Sequence, residues 1–367
     1  MKRFFKFLGI LIIVGIIAFA GTVYATAQRL KDKGDRVMAG ITTWVEQKRD
    51  PAPIVMIVKD IPELMQAGDF RKGEELLDLA LDRLAHPDEK DSAKPLPVEP
   101  VSDDYSEPVE AEVIGYDDQI MEPFISPDGK FLFFNNENDP ATDTNIHYAE
   151  RTGTLSFKYL GKLPGVNDKT LDGVPSMDND GHFYFTTMRD YSKNMNSLYT
   201  GMFNGSGVLD VRPVAGHITP KEPGQINMDT GISPDGKTMY ISRAHFKNHV
   251  PVPATSDLMI AHLAADGFEM DPASAEILKN VNTDELEYAP AISADGLRLF
   301  FTRSAGAYGL RILVATRESV HEPFGVAKLI KTINGFVEAP TLTLDGKELF
   351  FHKKIGGKLR LYRVERK

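Results

Sequence analysis

The chain has 367 residues, 42% of them hydrophobic, so it can bury a sizeable core and hold more than one domain. A formal net charge of -10, without zinc-finger spacing or a basic helical tract, argues against a nucleic-acid partner. With no cysteine, disulfides, thiol chemistry and cysteine-linked lipid anchors are excluded, and stability must come from packing.

The opening MKRFFKFLGILIIVGIIAFAGTVYATAQ places Lys2, Arg3 and Lys6 before a stretch, Phe7 to Gln28, that carries no charge. A helix of about 20 apolar residues crosses the roughly 30 Å hydrocarbon layer. Residues 1–27 are therefore expected to be a transmembrane anchor that meets the membrane through residues 7–27. Ala25-Thr26-Ala27 also suits signal-peptide cleavage after Ala27. Two localisations stay open: a single-pass inner-membrane protein with an exported body, and a soluble periplasmic protein. Arg29, Lys31, Lys33 and Arg36 follow the span as Lys2, Arg3 and Lys6 precede it, so charge says little about orientation.

Residues 28–85 read as a short helical spacer. A mixed-charge helix over 28–50 stops before Pro51 and Pro53, and a helical pair follows. Asp60 serves as cap, Pro62 sits in the first turn, Gly68 is the break, and Leu76, Leu77, Leu81 and Leu84 form an apolar stripe. The text MQAGDFRKGEELLDLALDRL resembles a single degenerate tetratricopeptide-like hairpin, which implies either a brace packed on its own chain or a protein-docking element. Residues 86–106, rich in proline and acid, read as a semi-extended linker.

Five segments then align: EPFISPDGKFLFF, VPSMDNDGHFYFT, TGISPDGKTMYIS, APAISADGLRLFF and APTLTLDGKELFF. They share the pairs Asp128-Gly129, Asp180-Gly181, Asp235-Gly236, Asp295-Gly296 and Asp345-Gly346, spaced 50 to 60 residues apart. Each pair predicts a tight turn between two strands, with glycine accepting positive φ. A third strand follows in NIHYAER, SLYTGMF, DLMIAHL, LRILVAT and KLRLYRV. A fourth follows in SFKYLGKLP, LDVRPVAGHI, PASAEILKNV and GVAKLIKTI, but the last repeat has none of its own. EPVEAEVIGYDD, 107–118, is expected to supply it by pairing with 358–364. The fold class that follows is mainly β: a five-bladed β-propeller over 107–367, closed by an N-terminal outer strand and preceded by a transmembrane or signal helix and the helical spacer. The S-P-D-G motifs resemble the TolB-like, WD40-like (PD40) β-propeller repeat family. That resemblance implies a propeller and an exported setting, and it supplies no activity.

Starts of first strands and loops after second strands should share one face. That face gathers Glu122, Asp172, Asp229, Glu287 and Glu338 near Arg189, Arg243, Arg303 and Lys353. Such charges can tie blades together, or they can line a mouth for a sugar, a peptide terminus or an anion. Unequal loops at 135–145, 187–197 and 242–257, with Tyr191, His245 and Phe246, offer a recognition wall. The expected function is to bind or organise an envelope protein or a polar ligand such as a glycan or peptide, without catalysis. The alternative is a carbohydrate-active enzyme resembling glycoside hydrolases, with Asp172, Glu287 and Glu338 as the carboxylates that this chemistry requires. No G-x-S-x-G, P-loop or G-x-G-x-x-G motif is present. Glu137, Asp139, Asp143 and Asn145 lack the order of an EF-hand, which leaves calcium at 137–145 open. His245 and His249 have no HExxH, and no metal or cofactor is assigned.

Overall fold

The computed structural model describes residues 22–47, 54, 57–58, 61–66, 70–85, 100–138, 143–246, 253–304 and 310–367. Most of the expected span at 7–27, the features at Pro51, Pro53, Asp60 and Gly68, most of the 86–106 linker, and Asp139 and His249 lie outside these residues. The chain divides into two compact units, Met1–Val98 and Glu99–Lys367.

The first unit contains α1 (Thr22–Glu46), α2 (Ile61–Gln66) and α3 (Phe70–Ala85). Leu30, Val37, Ile41 and Trp44 recur at helical spacing on α1, and they are buried in one cluster with Leu77 and Ala80 of α3. Arg29 grips Glu74 through two bonds of 2.6 and 2.9 Å, and Lys33 reaches Asp78 at 2.7 Å. The apolar stripe of the hairpin is thus covered by its own chain. Among the described residues, no helix is long and apolar enough to cross a membrane.

The second unit is mainly β and propeller-like. It opens with three short strands, β1 (Val101–Ser102), β2 (Val109–Glu110) and β3 (Glu112–Ile114). Antiparallel meanders follow. Meander I holds β4 (Met121–Ile125), β5 (Phe131–Asn135), β6 (Ile146–Arg151) and β7 (Ser156–Lys162). Meander II holds β8 (Asp172–Met177), β9 (His182–Thr187), the short helix α4 (Tyr191–Asn194), β10 (Leu198–Phe203) and β11 (Val208–Pro213). Meander III holds β12 (Gln225–Ile232), β13 (Thr238–His245), β14 (Thr255–Ala264) and β15 (Gly267–Met270). After α5 (Ser274–Ile277), meander IV holds β16 (Leu286–Ile292), β17 (Arg298–Ser304), β18 (Leu310–Thr316) and β19 (Lys328–Ile330). Meander V holds β20 (Val337–Leu342), β21 (Glu348–Ile355) and β22 (Lys358–Glu365), with β2 as its outer strand. The first strands touch in a closed circuit, β4 to β8, β12, β16, β20 and back to β4.

The doubled aromatics of the second strands explain how the meanders hold together. Successive side chains of a strand point to opposite faces, and here both faces are buried. Phe133 packs with Phe183 of meander II while Phe134 packs with Phe350 of meander V. Likewise Phe300 joins Phe351, and Phe301 joins Tyr240 of meander III. A run such as FLFF therefore feeds two cores at once.

The Ser-Pro-Asp-Gly turns are built by their own side chains. The Ser126 hydroxyl donates to Asp128 at 2.6 Å and accepts the Phe131 N–H at 2.9 Å, while Asp128 accepts the Lys130 N–H at 3.0 Å. Ser233 with Asp235, Ser293 with Asp295, and Thr343 with Asp345 repeat this arrangement. In meander II, Asp178 stands where the others have a hydroxyl, and it accepts the Asp180 and His182 N–H groups. The conserved-looking motif within the chain thus makes turns.

Two expectations about outer strands change. Only β2, within 107–118, pairs with β22, in register Val109 to Arg363. β3 runs on to pair in parallel with β7, and β1, inside the stretch expected as linker, pairs in parallel with β19. The segment is a strap over three outer edges, each of which would otherwise present open backbone groups. In meander III the fourth strand is Gly267–Met270, and PASAEILKNV contains α5 instead. Asp271 accepts the Ala273 N–H at 2.8 Å, so Asp-Pro opens a helical turn there.

Close approach of meanders III and IV requires Gly231, where an added Cβ would lie 2.2 Å from the Pro290 carbonyl oxygen. Gly231→Ala is expected to lower the unfolding free energy by about 1–3 kcal/mol, read from urea denaturation.

Candidate functional site

Each first strand carries a bulge near the same place. At four of them a non-glycine residue adopts positive φ: Glu122 at 46°, Val174 at 54°, Ala289 at 50° and Ala339 at 56°. Such backbones cost about 1–3 kcal/mol each and persist only where neighbours hold them. The neighbours are polar side chains of the adjacent meander. Asn135 accepts the Val174 N–H at 3.1 Å, Asp229 accepts the Ala289 N–H at 2.9 Å, and Thr302 accepts the Ala339 N–H at 3.0 Å. His352 Nδ1 accepts the Glu122 N–H at 3.1 Å, and the Thr186 hydroxyl donates to the Met228 carbonyl at 2.8 Å. Every junction between consecutive meanders is latched in this way. Sequence reasoning missed Asn135, Thr186, Thr302 and His352. The signal was one polar residue ending each apolar run of the second strands, as in LFFN, FYFT, LFFT and LFFH.

The expected acid-base face resolves into two different structures. Arg189 binds Asp172 at 2.6 Å and also the Val166 carbonyl. Arg303 binds Glu287 at 2.6 Å and the Val281 carbonyl at 2.6 Å, and Thr283 gives Glu287 further bonds from its N–H and hydroxyl. Arg243 repeats the arrangement with Asn227 at 3.1 Å and the Ile218 carbonyl. Each arginine therefore clamps the incoming connection to the first strand of its meander. Asp172 and Glu287 are fully buried, and burial pushes both carboxyls up against the pull of their arginines. Lys353 has no such acid partner at Val337, and its ammonium lies 5.7 Å from the Tyr362 ring centroid.

Glu338 belongs to the second structure. It stands one residue closer to its repeat aspartate than Asp172 and Glu287 do to theirs, and one step along a strand turns the side chain to the other face. There the Tyr288 hydroxyl donates to one carboxylate oxygen and His352 Nε2 donates to the other at 3.0 Å. Because His352 Nδ1 already accepts a backbone N–H, the ring proton sits on Nε2. Burial pushes Glu338 up, but the bonds from His352 and Tyr288 outweigh it and hold the carboxyl below its usual value. Glu122 and Asp229 join it in one electrostatic cluster. Burial, reinforced by Asp229 and Glu338, pushes Glu122 well above the carboxylate range. Burial pushes Asp229 to about 6 despite bonds from Ala289 and Ser242. Glu122 Oε1 accepts from Asn138 at 3.1 Å, whereas Glu122 Oε2 and Thr230 Oγ1 are buried without a hydrogen-bond partner among the described residues.

All five first strands line a cavity of about 70 Å³ along the axis. It runs from Glu122, Asp229 and Thr230 to Pro127, Pro234, Ala294 and Leu344 beside the Asp-Gly turns. Ala294 and Leu344 are exposed, while Glu122 and Asp229 are 6% and 3% exposed. Neither Tyr191, His245 nor Phe246 lines this cavity. The Tyr191 hydroxyl instead donates to the Gln225 carbonyl, and the Phe246 N–H to the Gly224 carbonyl, so both hold neighbouring loops. Among the described residues, no group of three or more His, Asp or Glu is placed to hold a metal ion.

An unfolded aspartate titrates near 3.9. Since folding raises Asp229, its contribution to stability is full below about pH 4 and is lost as pH rises through 6. The stability of Asp229→Asn relative to wild type is therefore expected to rise between pH 4 and pH 7, by on the order of 3 kcal/mol, in paired urea titrations.

No family model matches the sequence, and no curated protein does. Among solved structures, TolB from Acinetobacter baumannii is similar at 13% identity, with 82% of this chain and 70% of that chain covered and a TM-score of 0.39. The catalytic domain of an alpha-L-arabinofuranosidase from Coprinopsis cinerea is similar at 14% identity, covering 73% and 98%, with a TM-score of 0.46. A family 117 glycoside hydrolase from Zobellia galactanivorans follows at 13% identity, covering 71% and 90%, with a TM-score of 0.44. Similarity at this level assigns no role to any residue of this chain.

Proposed function

We propose that the second unit is a five-bladed propeller of TolB-like type that binds or organises an envelope partner or polar ligand, and that it does no catalysis. The favoured setting is export, with residues 7–27 retained as an inner-membrane anchor; release after Ala27 is the alternative. Intact-mass measurement of the exported protein separates the two, since cleavage removes the first 27 residues.

The observation that carries the binding reading is the commitment of all three expected catalytic carboxylates. Asp172 is held by Arg189, Glu287 by Arg303, and Glu338 by His352 and Tyr288. Glycoside hydrolysis needs two carboxyls about 5–5.5 or 6.5–9.5 Å apart with a sugar between them.

One observation favours a carbohydrate-active enzyme as the second reading. Glu122 is pushed up and Glu338 down within one cluster, the kind of division that acid-base chemistry uses. A glycan and peptide binding screen with product detection tests the choice. Saturable binding without product supports recognition; turnover that disappears in folded Glu122→Gln or Glu338→Gln supports the enzyme.

A further inference from the structure

The axial cavity carries Glu122 and Asp229 at one end and a collar of prolines beside them. At the same repeat position four first strands carry Pro123, Pro175, Pro290 and Pro340, and only meander III breaks the collar, with Thr230. We propose that this cavity takes a primary alkylammonium, an unbranched alkyl stem ending in a protonated amine, with the ammonium at Glu122 and Thr230 and the stem along the prolines. The proposal rests on the reading of the axis as a recognition site, and it names the ligand class.

Two buried atoms of the lining, Glu122 Oε2 and Thr230 Oγ1, have no hydrogen-bond partner among the described residues. Leaving such an atom unsatisfied costs about 1–3 kcal/mol, so a ligand that donates hydrogen bonds there relieves a standing penalty. Asp229 of β12 and Glu338 of β20 oppose the ionisation of Glu122, with Tyr288 of β16 and His352 of β21 already turned to Glu338; a bound ammonium offsets that repulsion and lets Glu122 give up its proton. A cationic donor answers that charge, whereas a sugar hydroxyl or a water does not. Beside Ser176, Thr341 and Thr343, the walls carry prolines, alanines and isoleucines, which suit an alkyl stem.

Methyl NMR of the full chain with labelled isoleucine tests this, since Ile125, Ile232 and Ile292 line the cavity. Titration with n-butylammonium is expected to shift these three methyls saturably, while n-butanol and tetramethylammonium leave them in place. Glu122→Gln is expected to weaken the affinity at least about ten-fold, and Thr230→Val, which keeps the shape, several-fold. Should Glu122→Gln fail to fold, Thr230→Val carries the test alone. The proposal is overturned by silence toward n-butylammonium, by equal shifts with n-butanol, or by wild-type affinity in the folded variants. A lysine peptide compared with its Nε-acetylated form, and with 1,5-diaminopentane, distinguishes a protein lysine from a free amine as the source of the ammonium. If alkylammonium binding is absent while glycan or peptide binding persists in the screen above, only the ligand class falls. Turnover in that screen overturns the recognition reading itself.

Discussion

Arg303→Met is expected to lower the unfolding free energy by about 3–5 kcal/mol in urea denaturation near neutral pH. Arg303 and Glu287 are 4% and 0% exposed, joined at 2.6 Å, and the guanidinium also holds the Val281 carbonyl and lies 5.5 Å from the Phe301 ring centroid. Methionine keeps much of the stem but leaves a carboxylate buried with only the Thr283 bonds, and a desolvated charge without its counter-ion is the costly outcome. Adding Glu287→Gln to Arg303→Met removes that charge and should recover part of the loss, so the double-variant cycle shows strong coupling. By contrast, Lys193→Ala breaks an exposed pair with Asp190 and should leave the urea midpoint unchanged. A loss under about 1 kcal/mol in Arg303→Met would mean that the clamp is solvated and that Glu287 is free for other work.

Removing the strap should have a larger effect still. A chain beginning at residue 119 is expected to lose cooperative unfolding and to elute as aggregate, whereas a chain beginning at residue 99 keeps a single transition. The strap donates Ser106 N–H to Glu365, Ala111 N–H to Leu361 and Glu112 N–H to Leu155, and it accepts Leu329 N–H at Pro100 and Lys331 N–H at Ser102. At about 1 kcal/mol net per bond, together with the burial of Tyr105, Ala111 and Val113, this approaches the whole of a typical 5–15 kcal/mol stability. Its loss also opens the outer edges of β7, β19 and β22 to pairing between molecules. Equal urea midpoints for the two truncated chains would show that the ring closes without it.

The repeats were legible because their causes are local. Ser126 and Asp128 make their turn across two residues, and a doubled aromatic such as Phe133-Phe134 already states that both faces of the strand are covered. The strap was legible only where it completes meander V. Nothing in EVI at 112–114 distinguishes a parallel partner on β7 from an antiparallel one on β22, because edge pairing is decided by which edge lies alongside.

The amino-acid order alone determined five turn-strand units and the set of charged residues from which a site could be drawn. Which acids meet was decided in three dimensions. Alternation along a strand predicts the facing of a side chain only until a bulge inserts an extra residue, and these bulges sit at Glu122, Val174, Ala289 and Ala339, residues that give no glycine signal for positive φ. Asp172 and Glu287 turn to their arginines, while Glu122, Asp229 and Glu338 gather in one electrostatic cluster, where burial raises the first two and the bonds from His352 and Tyr288 lower the third.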